Sequence, residues 1–86
     1  MNINELIAII KKKLNENINI ENLLIEDKTF IHKNHIGHDF NKFHLKINIY
    51  SKELSTLSKI QSNKKVYKIL DEELKTYIHS LQILIN

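Results

Sequence analysis

From Phe43 to Tyr50 apolar and polar side chains alternate without a break: Phe43, Leu45, Ile47 and Ile49 against His44, Lys46, Asn48 and Tyr50. A period of two marks a strand with one buried face, because successive side chains leave a pleated backbone on opposite sides. That face needs a cover, and the flanking segments supply helical periodicity. Ile3, Leu6, Ile7, Ile10 and Leu14 recur at spacings of three and four and predict an N-terminal helix. Asn2 or Asn4 can cap it. Lys11, Lys12 and Lys13 are expected in its last turn, as a phosphate contact or as a solvated helix end favoured by the dipole. Asn15 to Glu21 is polar and reads as a connection. Leu23, Leu24 and Ile25 make a short apolar run, a first strand ending near Asp27.

From about Lys52 the apolar spacing becomes helical again through Leu54, Leu57, Ile60, Val66, Ile69, Leu70 and Leu74. Gln61 to Lys65 interrupts the apolar face, which predicts two helices or one bent helix. Ile78 to Ile85 is rich in β-branched residues and predicts a third strand. The order is αββααβ, an α/β (α+β) fold. Strands one and two are joined by a loop and should pair antiparallel. Strands two and three are joined through helices, so they should run parallel with a right-handed crossover. A three-stranded mixed sheet of order 1-2-3 follows, with the helices on one face. Phe43, Leu45, Ile47 and Ile49 should meet Leu6, Ile10, Val66 and Leu70 there.

This topology bears on the histidines. The loop from Phe30 to Asn41 carries His32, His35 and His38 together with the only glycine, Gly37. It is expected to be the most mobile internal segment. It should hang over the end of the sheet where strand two begins at His44 and strand three at His79. All five histidines would then gather at one edge. Two or more imidazoles so placed could form an open site for iron or zinc. His79 could equally be a structural residue bonded to the backbone.

Eighty-six residues fit one domain, residues 1–86, with a thin core and little room for a deep substrate cavity. No Ser/His/Asp spacing, P-loop or zinc-protease motif is present, which argues against an enzyme. The absence of Cys favours a reducing compartment over secretion. The N-terminal stretch lacks the pattern of a signal peptide, and no apolar run approaches a membrane span. The expected location is intracellular, with the cytoplasm favoured over the mitochondrion. The net charge is +3, and every basic residue is Lys. Without Arg, bidentate base reading is disfavoured, so nucleic-acid binding should be weak.

Five stretches, in order over residues 20–84, resemble the BolA-like family. Asp27-Lys28-Thr29-Phe30-Ile31-His32 resembles Asp-x-Ser/Thr-x-x-His, and His32-Lys33-Asn34-His35 the HxxH of the family loop. Phe43-His44-Leu45-Lys46-Ile47 resembles Thr-His-Phe-x-Val, followed by Ser51 at the strand end. Val66-Tyr67 to Glu72-Glu73-Leu74 resembles a helix signature, and Ile78-His79-Ser80-Leu81 resembles Ile/Val-His-Ala-Leu. Two features depart from the family. Its Arg-His-Arg helix motif falls on Ser62-Asn63-Lys64, and the usual Gly after strand two is missing from Lys52 to Ser58.

The resemblance implies a class II KH-like fold and work as an adaptor in iron–sulfur cluster assembly or iron regulation. The implied partner is a monothiol glutaredoxin, with a bridging [2Fe-2S] cluster shared between that protein, glutathione and this chain. The chain would bind no cluster alone, would be a monomer alone and would form a heterodimer with the glutaredoxin. A chain without Cys would belong to the branch that uses His. His79 then carries over onto the strand ligand and His32 onto the loop ligand, with His35 and His44 in reserve. A second reading is a nucleic-acid-binding transcriptional regulator. Lys59, Lys64, Lys65 and Lys68, on or near the second and third helices, would then contact nucleic acid or else a protein partner.

Overall fold

The computed structural model describes residues 1–29 and 42–86. The loop carrying His32, His35 and His38, and the mobility expected of it, lie outside the described residues. The elements are α1 (Ile3–Asn17), β1 (Asn22–Asp27), β2 (Phe43–Tyr50), α2 (Lys52–Ser55), α3 (Lys59–Ile69), α4 (Asp71–Thr76) and β3 (Ile78–Ile85). Among the described residues no helix is long and apolar enough to cross a membrane.

The sheet has the expected order, β1-β2-β3. β1 and β2 are antiparallel, with Leu23 opposite Ile49 and Ile25 opposite Ile47. β2 and β3 are parallel, with Ile47 beside Ile83. Leu45, Ile47 and Ile49 are buried in one cluster with Leu6, Ile10, Val66 and Leu70, and Phe43 packs on its margin. The strand phase is therefore the one its alternation predicts. His44, Lys46 and Asn48 lie on the opposite face, where Lys46 and Asn48 are half-buried and His44 is buried.

α1 begins at Asn2, whose side chain accepts the Glu5 N–H at 2.8 Å. It runs to Asn17, past the expected end, so Lys11 to Lys13 are not in the last turn. The extension is held by its own polar residues. Asn15 donates to the Lys11 carbonyl (2.9 Å) and Asn17 to that of Lys13 (2.7 Å). Ile18, one turn beyond the buried Leu14, is also buried and draws the helix end onto the core.

The region after β2 departs further from expectation. The helix breaks between Thr56 and Ser58, and Gln61 to Lys65 lie inside α3. Ser51 caps α2 by accepting from Leu54 N (3.2 Å), and its hydroxyl donates to the Asn19 carbonyl (2.7 Å). Ser58 and Gln61 form a reciprocal capping box that restarts the helix. The restart rotates the apolar face. Leu54, Val66 and Leu70 are buried, whereas Ile60 is 69% exposed and Leu57 is also exposed. Buried Ser62 takes the core position on the first turns of α3 and bonds to the Lys59 carbonyl. A third short helix, α4, follows directly at Leu70.

α4 is fastened to α1 by charge. Lys13 donates to both oxygens of Glu73, at 3.0 and 2.7 Å, and lies 3.6 Å from Glu72. Glu73 is buried, so this ion pair replaces the water its carboxylate loses. Hydrogen bonding to Glu73, helped by the nearby negative charges, holds the Lys13 ammonium above the usual lysine range.

β3 opens with a bulge. Ile78 lies beside Phe43 and Ser80 beside His44, which leaves His79 as the extra residue. Ile78 is buried, and Leu81, Ile83 and Ile85 pack against the same core. Those two sets are out of phase by one residue, and a strand can bury both only if one residue is inserted between them. Consequently His79 and Ser80 are both exposed.

Candidate functional site

The start of β2 and the bulge of β3 bring His44 and His79 together. Their ring centroids are 4.7 Å apart with the planes tilted by 34°. His44 is buried and His79 is exposed. The bulge is the cause of this pairing, since it inserts His79 beside the position that faces His44.

Among the described residues, three hydrogen bonds hold His44. Its ring Nδ1 lies 2.6 Å from the Ser80 hydroxyl. Its backbone N–H donates to the Thr29 hydroxyl oxygen at 3.1 Å. Its carbonyl accepts from Lys28 N at 2.7 Å. Thr29 is positioned in turn by Asp27, whose Oδ1 accepts from both the Thr29 amide and the Thr29 hydroxyl. The Asp-x-Thr stretch therefore works as a local side-chain turn that ends β1 and grips the first residues of β2. This gives the motif a structural task at the edge of the site.

A half-open pocket of about 250 Å³ opens beside His44, lined by Lys28, His44, Lys46, Ser80 and Gln82 among others. Lys28 is bonded to Glu26 at 2.7 Å, and that contact holds the Glu26 carboxyl below its usual range. Lys28 and Lys46 line this pocket beside His44, together with the apolar Leu45 and Leu81. Among the described residues no group of three or more His, Asp or Glu side chains is arranged to hold a metal ion. The described part contributes two imidazoles, one accessible and one fixed.

Of the residues expected at a site, His79 and His44 are brought together, whereas His32 and His35 lie outside the described residues. The four lysines differ in exposure and engagement. Lys59, Lys64 and Lys68 are exposed, and Lys65 is engaged with Glu53 at 2.9 Å. Lys64 and Lys68 share the outward side of α3, one turn apart. Lys13 is a structural cation, as its bond to Glu73 shows. The sequence reading does not single out Ser80. The signal for it is the departure from Ala in the Ile/Val-His-Ala-Leu signature, at a position that proves to bond the His44 ring.

Comparison with known proteins bears on what this rim belongs to. Residues 14–86 match the model of a family described as BolA-like protein. The chain is 30% identical to the UV-induced protein uvi31 of Schizosaccharomyces pombe, over 86% of this chain and 76% of that one. It is 29% identical to the DNA-binding transcriptional regulator BolA of Haemophilus influenzae, over 87% of this chain and 70% of that one. Among solved structures it is similar to the BolA domain of SufE1 from Arabidopsis thaliana. There the TM-score is 0.77 at 28% identity, covering 92% of this chain and 87% of that one.

Proposed function

Because the chain belongs to the BolA-like protein family, a family of regulators and adaptors rather than enzymes, we propose that it is an adaptor that pairs with a monothiol glutaredoxin to hold or pass on a bridging [2Fe-2S] cluster. The observation that carries this reading is the exposed imidazole of His79 set against the buried, anchored ring of His44. A ligand shared between two proteins must be reachable from outside and must come from a rigid support. His79 meets both conditions, since it projects from a bulge whose neighbours are tied into the sheet.

In this reading His79 is the strand ligand and His32 the loop ligand, with His35 as its substitute. His44 supports the ring of His79 and is the remaining reserve. Cys is absent, so the ligands from this chain are imidazoles. Neutral His in place of thiolate raises the potential of such a cluster and makes its binding proton-sensitive, which suits transfer or sensing. In this reading the chain binds no cluster alone, forms a heterodimer with the glutaredoxin, and works in the cytoplasm.

The test is reconstitution. The protein is mixed with a monothiol glutaredoxin, glutathione, ferrous iron and sulfide, and visible absorption and circular dichroism are recorded. Bands that differ from those of the glutaredoxin alone support the reading. Spectra that equal the sum of the separate components count against it.

A second reading has its own observations. The Haemophilus influenzae relative is named as a DNA-binding regulator, and Lys64 and Lys68 stand exposed on α3. Duplex DNA titrated at several salt concentrations separates this reading from the first.

A further inference from the structure

We propose that the outer edge of β3 pairs antiparallel with β3 of a second copy of this chain, about a two-fold axis at Leu84. β3 is an edge strand of the three-stranded sheet. Which main-chain groups face outward follows from its last residue. Asn86 N donates to the Ile49 carbonyl (2.8 Å), and the Asn86 carbonyl accepts from Ser51 N (3.2 Å). Asn86 is therefore turned toward β2, and so are Leu84, Gln82 and Ser80, because the direction alternates along a strand. Leu81, Ile83 and Ile85 turn their N–H and C=O groups outward.

Among the described residues, that edge is guarded over only half of its length. At the Leu81 carbonyl the Tyr67 hydroxyl donates at 3.2 Å, and the bulge at His79 bends the strand just before it. Nothing among the described residues bonds the outward groups of Ile83 and Ile85. Edge strands are ordinarily protected by charge, by Pro, by a bulge or by a cover. From Thr76 to Asn86 the sequence has no Asp, Glu, Lys or Arg and no Pro, in a chain that is 27% charged overall. The unguarded half is thus a template for another strand.

Three features select a second copy as the occupant. An antiparallel hydrogen-bonded pair needs two residues that both face outward, and Ile83 with Ile85 of the partner subunit meets this need twice about one axis. The guarded carbonyl of Leu81 takes no part. Leu84 is 39% exposed on the open face and would meet its own copy across the axis. On the other face a half-open groove of about 370 Å³ runs beside the edge, lined by Leu54, Leu57, Ser62, Ile83 and Ile85 among others. It would receive the isoleucines of the second strand. The paired strands bring no charged side chain against each other, and Lys59 at the margin of the groove is exposed to solvent. The pairing lies at the opposite end of β3 from His79, so it leaves the histidine rim open.

Sedimentation equilibrium tests this. The mean mass of the full chain should rise with concentration from 10.2 kDa toward twice that value. Leu84→Glu and Leu84→Lys should each remain monomeric, because like charges would meet on the axis. Mixed in equal amounts they should form a dimer of one Glu chain with one Lys chain, read by native mass spectrometry. A second measurement needs no variant: amide exchange at Ile83 and Ile85 should slow as wild-type concentration rises. A wild-type chain that stays monomeric to about 1 mM, the weak end of specific affinities, overturns the proposal. So do single variants that associate like wild type, a mixture without mixed dimers, or exchange at Ile83 and Ile85 that does not change with concentration.

Discussion

His79 stands with its ring 4.7 Å from that of His44, one exposed and the other buried, although α2, α3 and α4 lie between them in the chain. The parallel pairing of β2 with β3 brings the two strand starts together, and the bulge turns His79 outward beside Ser80. The Ser80 hydroxyl, 2.6 Å from Nδ1 of His44, fixes the ring against which His79 rests.

Ser80→Ala should therefore loosen the pair without disturbing the core. The loss of one hydrogen bond to a buried ring should cost about 1 kcal/mol, read by urea unfolding. The ring nitrogen chemical shifts of His44 should move, and those of His79 should follow to a smaller extent. Unchanged His44 nitrogen shifts would mean that the hydroxyl does not hold the ring.

Lys13 and Glu73 give a prediction with a pH sign. The folded ammonium is held above its ordinary value of 10.5, chiefly by its hydrogen bond to Glu73. A group whose pKa is raised by folding contributes stability fully below its unfolded value, and loses it as pH rises through the folded value. Lys13→Met keeps much of the stem and removes the charge, leaving the buried Glu73 without its cation. It should cost about 2 kcal/mol near neutral pH. The gap from wild type should hold up to about pH 10 and shrink above it. Stability curves against pH for both proteins give the answer, and a gap that widens in alkali would reverse the assignment.

The sheet is the part of the fold most legible in the sequence. Alternation over Phe43 to Tyr50 sets the strand phase, and a helical crossover forces the parallel β2–β3 pair. The helix boundaries are less legible because polar residues decide them. Asn15 and Asn17 look like the start of a connection, yet both bond back to α1. Ser58 with Gln61 is a capping box, visible in the sequence as Ser-x-x-Gln, and it outweighs the helical spacing of Leu57 and Ile60. The bulge also leaves a trace. Ile78 and the series Leu81, Ile83, Ile85 cannot share one face of a regular strand. The Lys13–Glu73 bond leaves none, because it joins residues far apart in sequence through tertiary packing alone.

Binding to DNA should be weak and set by charge. With Lys65 engaged by Glu53, Lys64 and Lys68 are the exposed cations on the outward side of α3. The double variant Lys64→Ala, Lys68→Ala should lower the slope of log affinity against log salt by about 2, roughly one unit for each lost phosphate contact. Fluorescence anisotropy with two unrelated duplexes should give similar affinities. Sequence-selective binding that persists at about 0.2 M salt would favour the regulator over the adaptor.

The most direct measurement is the glutaredoxin-bridged cluster spectrum of His79→Ala beside that of wild type, with unfolding curves for both. Substitution of an exposed residue should change stability by no more than about 0.5 kcal/mol, while removing a ligand removes a coordinate bond. The adaptor reading predicts a folded variant whose mixture with glutaredoxin, glutathione, iron and sulfide shows only the spectrum of the glutaredoxin alone. A folded variant that forms the bridged cluster as wild type does, or a variant that unfolds, would contradict the assignment of His79 as the ligand.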